Sequence, residues 1–366
     1  ASASSAAAAS AARDFNELPV LQHSALSQDF EGFAAELREA CLNVGFFVLA
    51  GLPPRTTELH AELLQAARAF FALPSEEKSR IDYQQSPHFR GYMWQGAENT
   101  AGRRDEREQI EFGHEELAAT AATRASAPLF DRLRGPNQWP EAPPELRPLV
   151  LAWLEDMEVL SHALTRALSA SLGLGADHLD HLFRAPHVQA KLVHYPAPDH
   201  AKWEPDQAES GLGVGAHSDS GFLTLLLQDD VGGLEVLNSA GRWVPAPPLP
   251  GSLVCNLGEV VQLLTKGTYL STVHRVQRPH SRGRLSAPYF WNPSLDVVIE
   301  PLTLHAGTED VARRELGLER PSDTENRMIP SYGMNAFKSL ARSHPLVFAR
   351  HHPDLQVLPD GRVVKR

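Results

Sequence analysis

The chain has few cysteines, no long apolar run and no excess of basic charge, and each of these absences excludes a class of protein. Its two cysteines, Cys41 and Cys255, lie in apolar stretches, which predicts buried free thiols and a reducing compartment, with a disulfide as the alternative. No apolar stretch is long enough to span a bilayer, so membrane insertion is not expected. A formal net charge of -11 disfavours a nucleic-acid backbone as the partner. Small-molecule substrates fit this composition better.

The length and the amino terminus set the next limits. A chain of 366 residues, 42% of them hydrophobic, can form two domains or one large domain. Residues 1–12 are all alanine or serine and include no acidic residue, which suits either a disordered tail or the remnant of an organelle-targeting segment. We expect a disordered tail over residues 1–14, a cytoplasmic location with an organelle as the alternative, and a monomer.

Two histidines and an aspartate stand at metal-ligand spacing in the second half of the chain. His217 and Asp219 lie in the phrase GAHSDSG, just before an apolar run that predicts a buried strand. Because side chains alternate along an extended chain, these two residues face the same way and Ser218 faces the other. The third candidate is His274, on a second predicted strand. Two imidazoles and one carboxylate on one side of a metal leave open positions, which is typical of non-haem Fe(II) oxygenases.

A cation and a hydroxyl follow the second histidine. Arg284 begins another predicted strand, on which Arg284, Ser286 and Phe290 share a face. A 2-oxo acid can chelate a metal through its keto and carboxylate oxygens, and its far carboxylate then needs a fixed cation. The planar guanidinium of Arg284 and the hydroxyl of Ser286 meet that need.

These residues resemble a known family. The motif HSD at 217–219, the distal His274 and RLS at 284–286 are similar to the isopenicillin N synthase-like branch of the Fe(II)/2-oxoglutarate-dependent oxygenases. Supporting phrases are Tyr195-Pro196, LLLQDDVGGL at 225–234, NLGE at 256–259 and GFFVL at 45–49. The likeness extends from about Leu18 to Phe348, and the combined HxD, H and RxS spacing is what makes it specific.

The resemblance implies the cofactors and the roles of the site residues. It implies Fe(II) held by His217, Asp219 and His274, with 2-oxoglutarate and O2 as co-substrates, and oxidation of a small organic molecule with release of succinate and CO2. Hydroxylation is the expected outcome. Arg284, Ser286 and Tyr195 are the expected co-substrate contacts, although many relatives have an asparagine where this chain has Val193, so one co-substrate hydrogen bond is expected to be missing or replaced.

The substrate pocket is assigned by the same resemblance. In relatives the region that matches Ser86 to Gly113 closes over the substrate, and ordinary packing is the alternative for its apolar residues. With Phe290 added from its shared face, the candidate pocket residues are Tyr92, Trp94, Ile110, Phe112 and Phe290.

Alternating short strands in the second half and helices in the first predict a mainly β fold with flanking helices. The expected core is a double-stranded β-helix, that is, a cupin-like jelly roll. We expect an N-terminal α/β region at 15–135, a helical spine plus jelly-roll catalytic core at 136–350, and a C-terminal tail at 351–366. The spine is a predicted helix from Glu145 to Leu172, and the chain after Leu302 is expected to be helical and surface-like.

Three other functions remain open at this point. An oxidase similar to isopenicillin N synthase would keep the same ligands and use no 2-oxoglutarate. A zinc hydrolase is a different class, since zinc also accepts two histidines and a carboxylate. The third is a non-catalytic small-molecule sensor on the same fold.

Overall fold

A computed structural model describes residues 14–100, 103–117, 127–197, 212–304 and 328–366. Over these residues the α-helices are α1 (Ala25–Gln28), α2 (Phe30–Asn43), α3 (Pro54–Phe71), α4 (Ser75–Lys78), α5 (Leu146–Ser171), α6 (Glu259–Leu264), α7 (Tyr332–Ser343) and α8 (Pro345–His351). The strands are β1 (Val20–Gln22), β2 (Phe46–Ala50), β3 (Gly91–Met93), β4 (Asn99–Thr100), β5 (Arg103–Arg104), β6 (Glu108–Phe112), β7 (Pro186–Tyr195), β8 (Leu212–His217), β9 (Leu223–Gln228), β10 (Leu234–Leu237), β11 (Trp243–Pro245), β12 (Leu253–Leu257), β13 (His274–Gln277), β14 (Arg284–Ser294), β15 (Leu355–Val357) and β16 (Val363–Lys365).

Two sheets form the jelly roll. The larger has the strand order β1-β2-β12-β9-β14-β7-β6-β3, and the smaller has the order β11-β10-β13-β8. Pairing is antiparallel throughout both sheets except between β1 and β2. Apolar residues from the two sheets, including Val193, Val236 and Val276, pack between them in one buried cluster. The predicted jelly roll with flanking helices is confirmed.

The helices cover the opposite face of the larger sheet. Helix α5 packs with α2 and α3 on this face, and its Trp153 contacts the ring of Tyr289 edge-on. The indole N–H of Trp291 donates to the Thr165 hydroxyl at 3.0 Å, so helix and sheet are joined by a buried polar contact as well as by packing. The helices therefore cover one face of the larger sheet, and the candidate site can lie only on the other face, which is turned to the smaller sheet.

The predicted regions at 15–135 and 136–350 share this sheet. Strands β2, β6 and β3 come from the first region, and β2 and β6 pair directly with β12 and β7 from the second. The division of the sequence at 135 is therefore not a division between separate cores.

The C-terminal part is buried where a surface-like segment and a tail were expected. On α7, Phe337 is fully buried and lies in the main core, and the hairpin of β15 and β16 buries Leu355 and Val363. Eight of the 12 residues of α7 are buried, among them the polar Asn335 and Lys338, so more than one apolar stripe of this helix is covered. Both expectations were wrong for these residues.

Two expectations remain, one about the amino terminus and one about the two thiols. The tail predicted at 1–14 lies outside the described residues except for Asp14, which pairs with Arg242. Cys41 and Cys255 are free and buried, as predicted, and burial raises the pKa of both thiols well above the usual range. Among the described helices, none has the combined length and apolarity needed to cross a membrane.

Candidate metal centre and co-substrate site

The three predicted metal ligands meet at one end of the barrel. His217 ends β8 and His274 begins β13, and the two residues are direct partners across these antiparallel strands. Asp219 follows β8 by two residues, and its Oδ1 lies 3.7 Å from the Nε2 atom of each histidine. One ligand atom from each of the three residues lies within 4.8 Å of the others. A strand pairing thus brings together residues that are 57 positions apart in the sequence.

The backbone fixes the orientation of both imidazoles. The Nδ1–H of His217 donates to the Gly215 carbonyl at 2.8 Å, and that of His274 donates to the Thr272 carbonyl at 3.1 Å. Because a carbonyl oxygen only accepts, the Nδ1 atoms carry the protons and the Nε2 lone pairs face Asp219. Withdrawal from water lowers the pKa of His217 to about 4, assisted by His274, so this ring is in its neutral, metal-binding form near neutral pH.

Two donors hold the carboxylate of Asp219. Its Oδ2 accepts from the Thr224 hydroxyl at 2.6 Å and from the Asn256 amide at 2.8 Å, which leaves Oδ1 for the side of the histidines. Burial opposes ionisation, but His274, His217 and these two hydrogen bonds hold the pKa of Asp219 below its usual value. The intervening Ser218 points away and donates to Glu259, as the alternation along the strand predicts.

This donor set fits Fe(II). Two neutral imidazole nitrogens and one carboxylate oxygen converge from one side, and the ring nitrogens not used for a metal are already hydrogen-bonded. The arrangement is the facial set expected for a metal that must keep positions open.

Arg284 is a fully buried cation at the other end of the same face. Its guanidinium donates to Ser286 at 3.1 Å and to the Gln228 side chain at 3.2 Å, and its Nε has no partner among the described residues. Within the same described part of the chain, no carboxylate forms an ion pair with it. A buried charge without a counter-ion is costly, so a ligand carboxylate at this position would offset that cost.

The spacing along β9 suits a dicarboxylate between these two ends. Thr224 bonds the metal-ligand aspartate and Gln228 bonds Arg284, and both side chains lie on the face of β9 that is turned to the smaller sheet. Four residues of extended chain cover about 13 Å. The side chains of Asp219 and Arg284 shorten this span from its two ends, so a 2-oxo diacid that binds a metal at one end would point along β9 toward the guanidinium at the other.

Tyr195 lies between two arginines. Its ring covers the Arg284 guanidinium at 4.9 Å, and its hydroxyl is beside the Arg107 guanidinium. Val193, two residues earlier, is buried in the apolar cluster between the sheets. It therefore offers no side-chain hydrogen bond to a co-substrate, as expected for a valine at this position.

Three of the five candidate pocket residues lie on the wrong face of the sheet. Tyr92 packs edge-on against Phe70 of α3 and its hydroxyl donates to Glu108, while Ile110 and Phe112 are buried in the main core with the helices. This placement contradicts the prediction that they line the pocket. The reason is the two-residue period of a strand, because an assignment shifted by one residue moves every side chain of β6 to the other face.

The other two candidate pocket residues, Trp94 and Phe290, are not buried among the helices. Trp94 is 38% exposed and lies against Tyr83. Phe290 is half-buried on the same face as Ser286, and it is opposite Thr224 in the β14–β9 pairing. Phe290 is therefore close to the metal end of the site.

Polar and charged residues of β6 lie on the opposite face of the sheet from Ile110 and Phe112. Gln109 and Glu111 of β6 are opposite Val193 and Lys191 of β7, on the side turned to the smaller sheet. Sequence reasoning missed them, although a signal was present: Tyr195 was placed in the site, and Lys191 lies on the same face of the same strand.

Comparison with known proteins agrees with this geometry. Residues 18–142 match the family described as "non-haem dioxygenase in morphine synthesis N-terminal", and residues 187–293 match the 2OG-Fe(II) oxygenase superfamily. Homoarginine-6-hydroxylase 2-ODD-C23 of Glycine max is 32% identical over 308 residues, which is 80% of this chain and 91% of that protein.

Solved structures of similar fold include a dioxygenase and a protein in complex with alpha-KG. The dioxygenase for auxin oxidation of rice is 31% identical, with a TM-score of 0.59 over 78% of this chain and 86% of that chain. A full-length Neurospora crassa protein in complex with alpha-KG shares the fold, with a TM-score of 0.71 at 23% identity over 90% of this chain and 97% of that chain.

The chain belongs to the 2OG-Fe(II) oxygenase superfamily, in its isopenicillin N synthase-like family. It is a 2-oxoglutarate-dependent dioxygenase that uses Fe(II) and O2 and acts on a small organic molecule.

Proposed function

We propose that His217, Asp219 and His274 hold the Fe(II), that Arg284 and Ser286 hold the distal carboxylate of 2-oxoglutarate, and that the enzyme hydroxylates a small organic molecule. The observation that carries this proposal is the buried guanidinium of Arg284, which has no counter-ion among the described residues and bonds Gln228 of β9, the strand whose Thr224 bonds the metal-ligand aspartate. When bound, Fe(II) and 2-oxoglutarate supply the oxidising chemistry, with succinate and CO2 as the co-products.

The chain's own residues contribute position and a dry environment. The paired strands β8 and β13 set the two imidazoles side by side, and Thr224 with Asn256 directs one oxygen of Asp219 to the metal. Tyr195 covers the guanidinium and limits its contact with water, which strengthens its attraction for a carboxylate. Phe290 contributes an apolar wall at the metal end. Hydroxylation is favoured over other oxidations because the Glycine max relative is named for it.

Anaerobic titration tests the assignment of Fe(II) and 2-oxoglutarate to this site. We expect a visible charge-transfer band only when the metal-free protein receives both Fe(II) and 2-oxoglutarate, because both oxygens of the 2-oxo acid must reach the metal. Succinate is the matched control, since it has the same two carboxylates and no keto group, and it should produce no band. Fe(II) that binds without any change on addition of 2-oxoglutarate would refute the proposal.

Thr224 is expected to act as a positioning residue for Asp219. Thr224→Val removes the 2.6 Å hydrogen bond to the carboxylate and keeps the shape, so Fe(II) affinity should fall by about 10-fold or more. Thr224→Ser retains the hydroxyl and should stay within about twofold of the wild type. Calorimetric titration of the metal-free proteins measures this, and equal affinity for Thr224→Val would show that Asn256 alone orients the ligand.

We further propose that the protein is a monomer in the cytoplasm. Two buried free thiols suit a reducing compartment. Light scattering coupled to gel filtration tests the oligomeric state, and localisation of a tagged protein tests the compartment.

A further inference from the structure

Only two arginines in the described part of the chain are buried, and neither has a carboxylate partner there. One is Arg284, at the co-substrate position, and the other is Arg90, immediately before β3, which is 5% exposed. The Nη1 of Arg90 donates to the Asn137 side chain at 3.0 Å, but no carboxylate of the described residues forms an ion pair with it. The less buried Arg107, by contrast, lies 2.6 Å from Glu98. Because a buried guanidinium without a carboxylate is costly, Arg90 is a candidate site for the anionic group of a ligand.

Arg90 lines a small cavity together with two polar side chains that lack partners. The cavity has a volume of ≈ 10 Å³, which is room for one water-sized group. His187 is 7% exposed, and its Nε2 has no hydrogen-bond partner among the described residues. Gln189 is half-buried, and its amide forms no hydrogen bond within the same part of the chain. Buried polar groups without partners are rare in folded proteins, so this cavity points to a ligand that supplies them.

The carboxylates around Arg90 do not take the place of a partner in contact. Burial lowers the pKa of Arg90 to about 10, although Glu116, Glu111 and Glu115 favour its charged form. Each of these carboxylates is in contact with another side chain, namely Arg134, Lys191 and Asn137 respectively, and this holds also for Glu111, which lines the cavity. The guanidinium is therefore charged near neutral pH and keeps N–H groups for a ligand.

The cavity lies on the metal side of the site. Gln189 is opposite Phe290 in the β7–β14 pairing, and Phe290 is opposite Thr224 in the β14–β9 pairing. The hydroxyl of Thr224 bonds the metal ligand Asp219. Residues directly opposite each other share a face and neighbouring strands are about 5 Å apart, so Gln189 lies about 10 Å from Thr224, across Phe290. Arg284 is six residues from Phe290 along β14, so the two buried guanidinium groups belong to different ends of the site.

From this geometry we infer that the substrate carries a carboxylate, which Arg90 binds with Gln189 and His187 beside it, while the carbon to be oxidised lies over Phe290 next to the metal. One carboxylate oxygen fills the cavity, and the rest of the substrate extends from its opening. This inference rests on the proposed function, since it takes the metal ligands as the place of reaction. A neutral ligand would satisfy the free polar groups but leave the charge of Arg90 unpaired, whereas a carboxylate satisfies both.

The test compares acids with their primary amides, which differ in charge and little in shape. Hexanoate is paired with hexanamide, 3-phenylpropanoate with 3-phenylpropanamide, and arginine with argininamide. Each compound is added anaerobically to wild-type protein saturated with Fe(II) and 2-oxoglutarate, so that Arg284 is already occupied. Calorimetry measures the affinity, and perturbation of the visible band reports binding next to the metal. We expect at least one acid to bind at least about tenfold more tightly than its amide and to perturb the band.

Gln189→Glu tests the position of the substrate carboxylate. The substitution keeps the shape of the side chain and places a second carboxylate beside Arg90, so the preference for the acid should fall by at least about tenfold. The fold should be unaffected, because the Gln189 amide bonds none of the described residues. Gln65→Glu is the control, since it adds the same charge at an exposed position of α3, and it should leave the preference unchanged.

Substitutions of Arg90 separate its charge from its structural contact. Arg90→Gln removes the charge and retains a donor for Asn137, so the preference for the acid should fall by at least about tenfold while the KM for 2-oxoglutarate is unchanged. Arg90→Lys retains the charge and should recover most of the preference. If Arg90→Gln fails to fold, Gln189→Glu alone decides between the outcomes.

The outcomes separate this inference from the proposed function. A wild-type protein without the visible band overturns the assignment of the co-substrate, whatever the calorimetry gives. A protein that has the band but binds none of the acids, or binds the amides as tightly, overturns only the substrate class. A preference for the acid that survives undiminished in Gln189→Glu would place the substrate carboxylate away from Arg90 and would also overturn it.

Discussion

Asp219→Ala protein should release succinate from 2-oxoglutarate at less than about one thousandth of the wild-type rate. The substitution removes the only carboxylate within reach of both imidazole Nε2 atoms among the described residues, and a metal held by two histidines alone loses several kcal/mol of binding. Succinate release in the presence of excess Fe(II) and O2 measures the effect. Calorimetry with Fe(II) should show affinity reduced by at least about 100-fold.

Ser218→Ala is the control for this prediction. Ser218 is next to Asp219 in the chain, but its hydroxyl points away from the histidines and donates to Glu259. Its rate should stay within about twofold of the wild type. An Asp219→Ala protein that retains a tenth of normal succinate release would mean that the metal lies elsewhere.

Arg284→Met should raise the KM for 2-oxoglutarate by about 30-fold or more. Loss of one partner of a buried charge pair costs about 2–5 kcal/mol, and here the partner is the distal carboxylate of the co-substrate. The kcat at saturating 2-oxoglutarate should fall much less, because the metal ligands are untouched. The effect should also depend on the co-substrate: 2-oxopentanoate, which lacks the distal carboxylate, should bind the wild type and Arg284→Met about equally well.

Two further measurements make the Arg284 prediction specific. Arg282→Met removes an exposed arginine two residues away that pairs with Asp230 on the surface, and it should leave the KM unchanged. The metal-free Arg284→Met protein should be at least as stable as the wild type, since an apolar side chain replaces a buried charge that has no counter-ion among the described residues. An unchanged KM for 2-oxoglutarate in Arg284→Met would place the co-substrate carboxylate at another cation.

Much of the site could be predicted from residue types at short spacing. His217 and Asp219 are two positions apart, as are Arg284 and Ser286, and the alternation of an extended chain is enough to put each pair on one face. The partner strand of His274 was not predictable from spacing alone, and resemblance to a family supplied that link. The structure then pairs His274 directly with His217.

The residues of β6 that face the smaller sheet could not be predicted in the same way. Ile110 and Gln109 are adjacent on β6, and an apolar and a polar residue at neighbouring positions suit either orientation when both faces of a strand are buried. The pairing with β7 decides the matter, because it places Gln109 opposite Val193 and Glu111 opposite Lys191, on the face of Tyr195.

The sequence by itself determined the chemistry of this protein, since the ligand types, their short spacing and the arginine-serine pair admit few metals and few co-substrates. Only the tertiary structure decided which residues of β6 share a face with Tyr195 and that residues of the described segment 328–366 belong to the core. Ligand spacing within a strand is a local property, set by the two-residue period. Which face of β6 is turned to the smaller sheet depends on its pairing with β7, 78 to 86 residues further along the chain, and the extent to which α7 is buried depends on its packing in the main core.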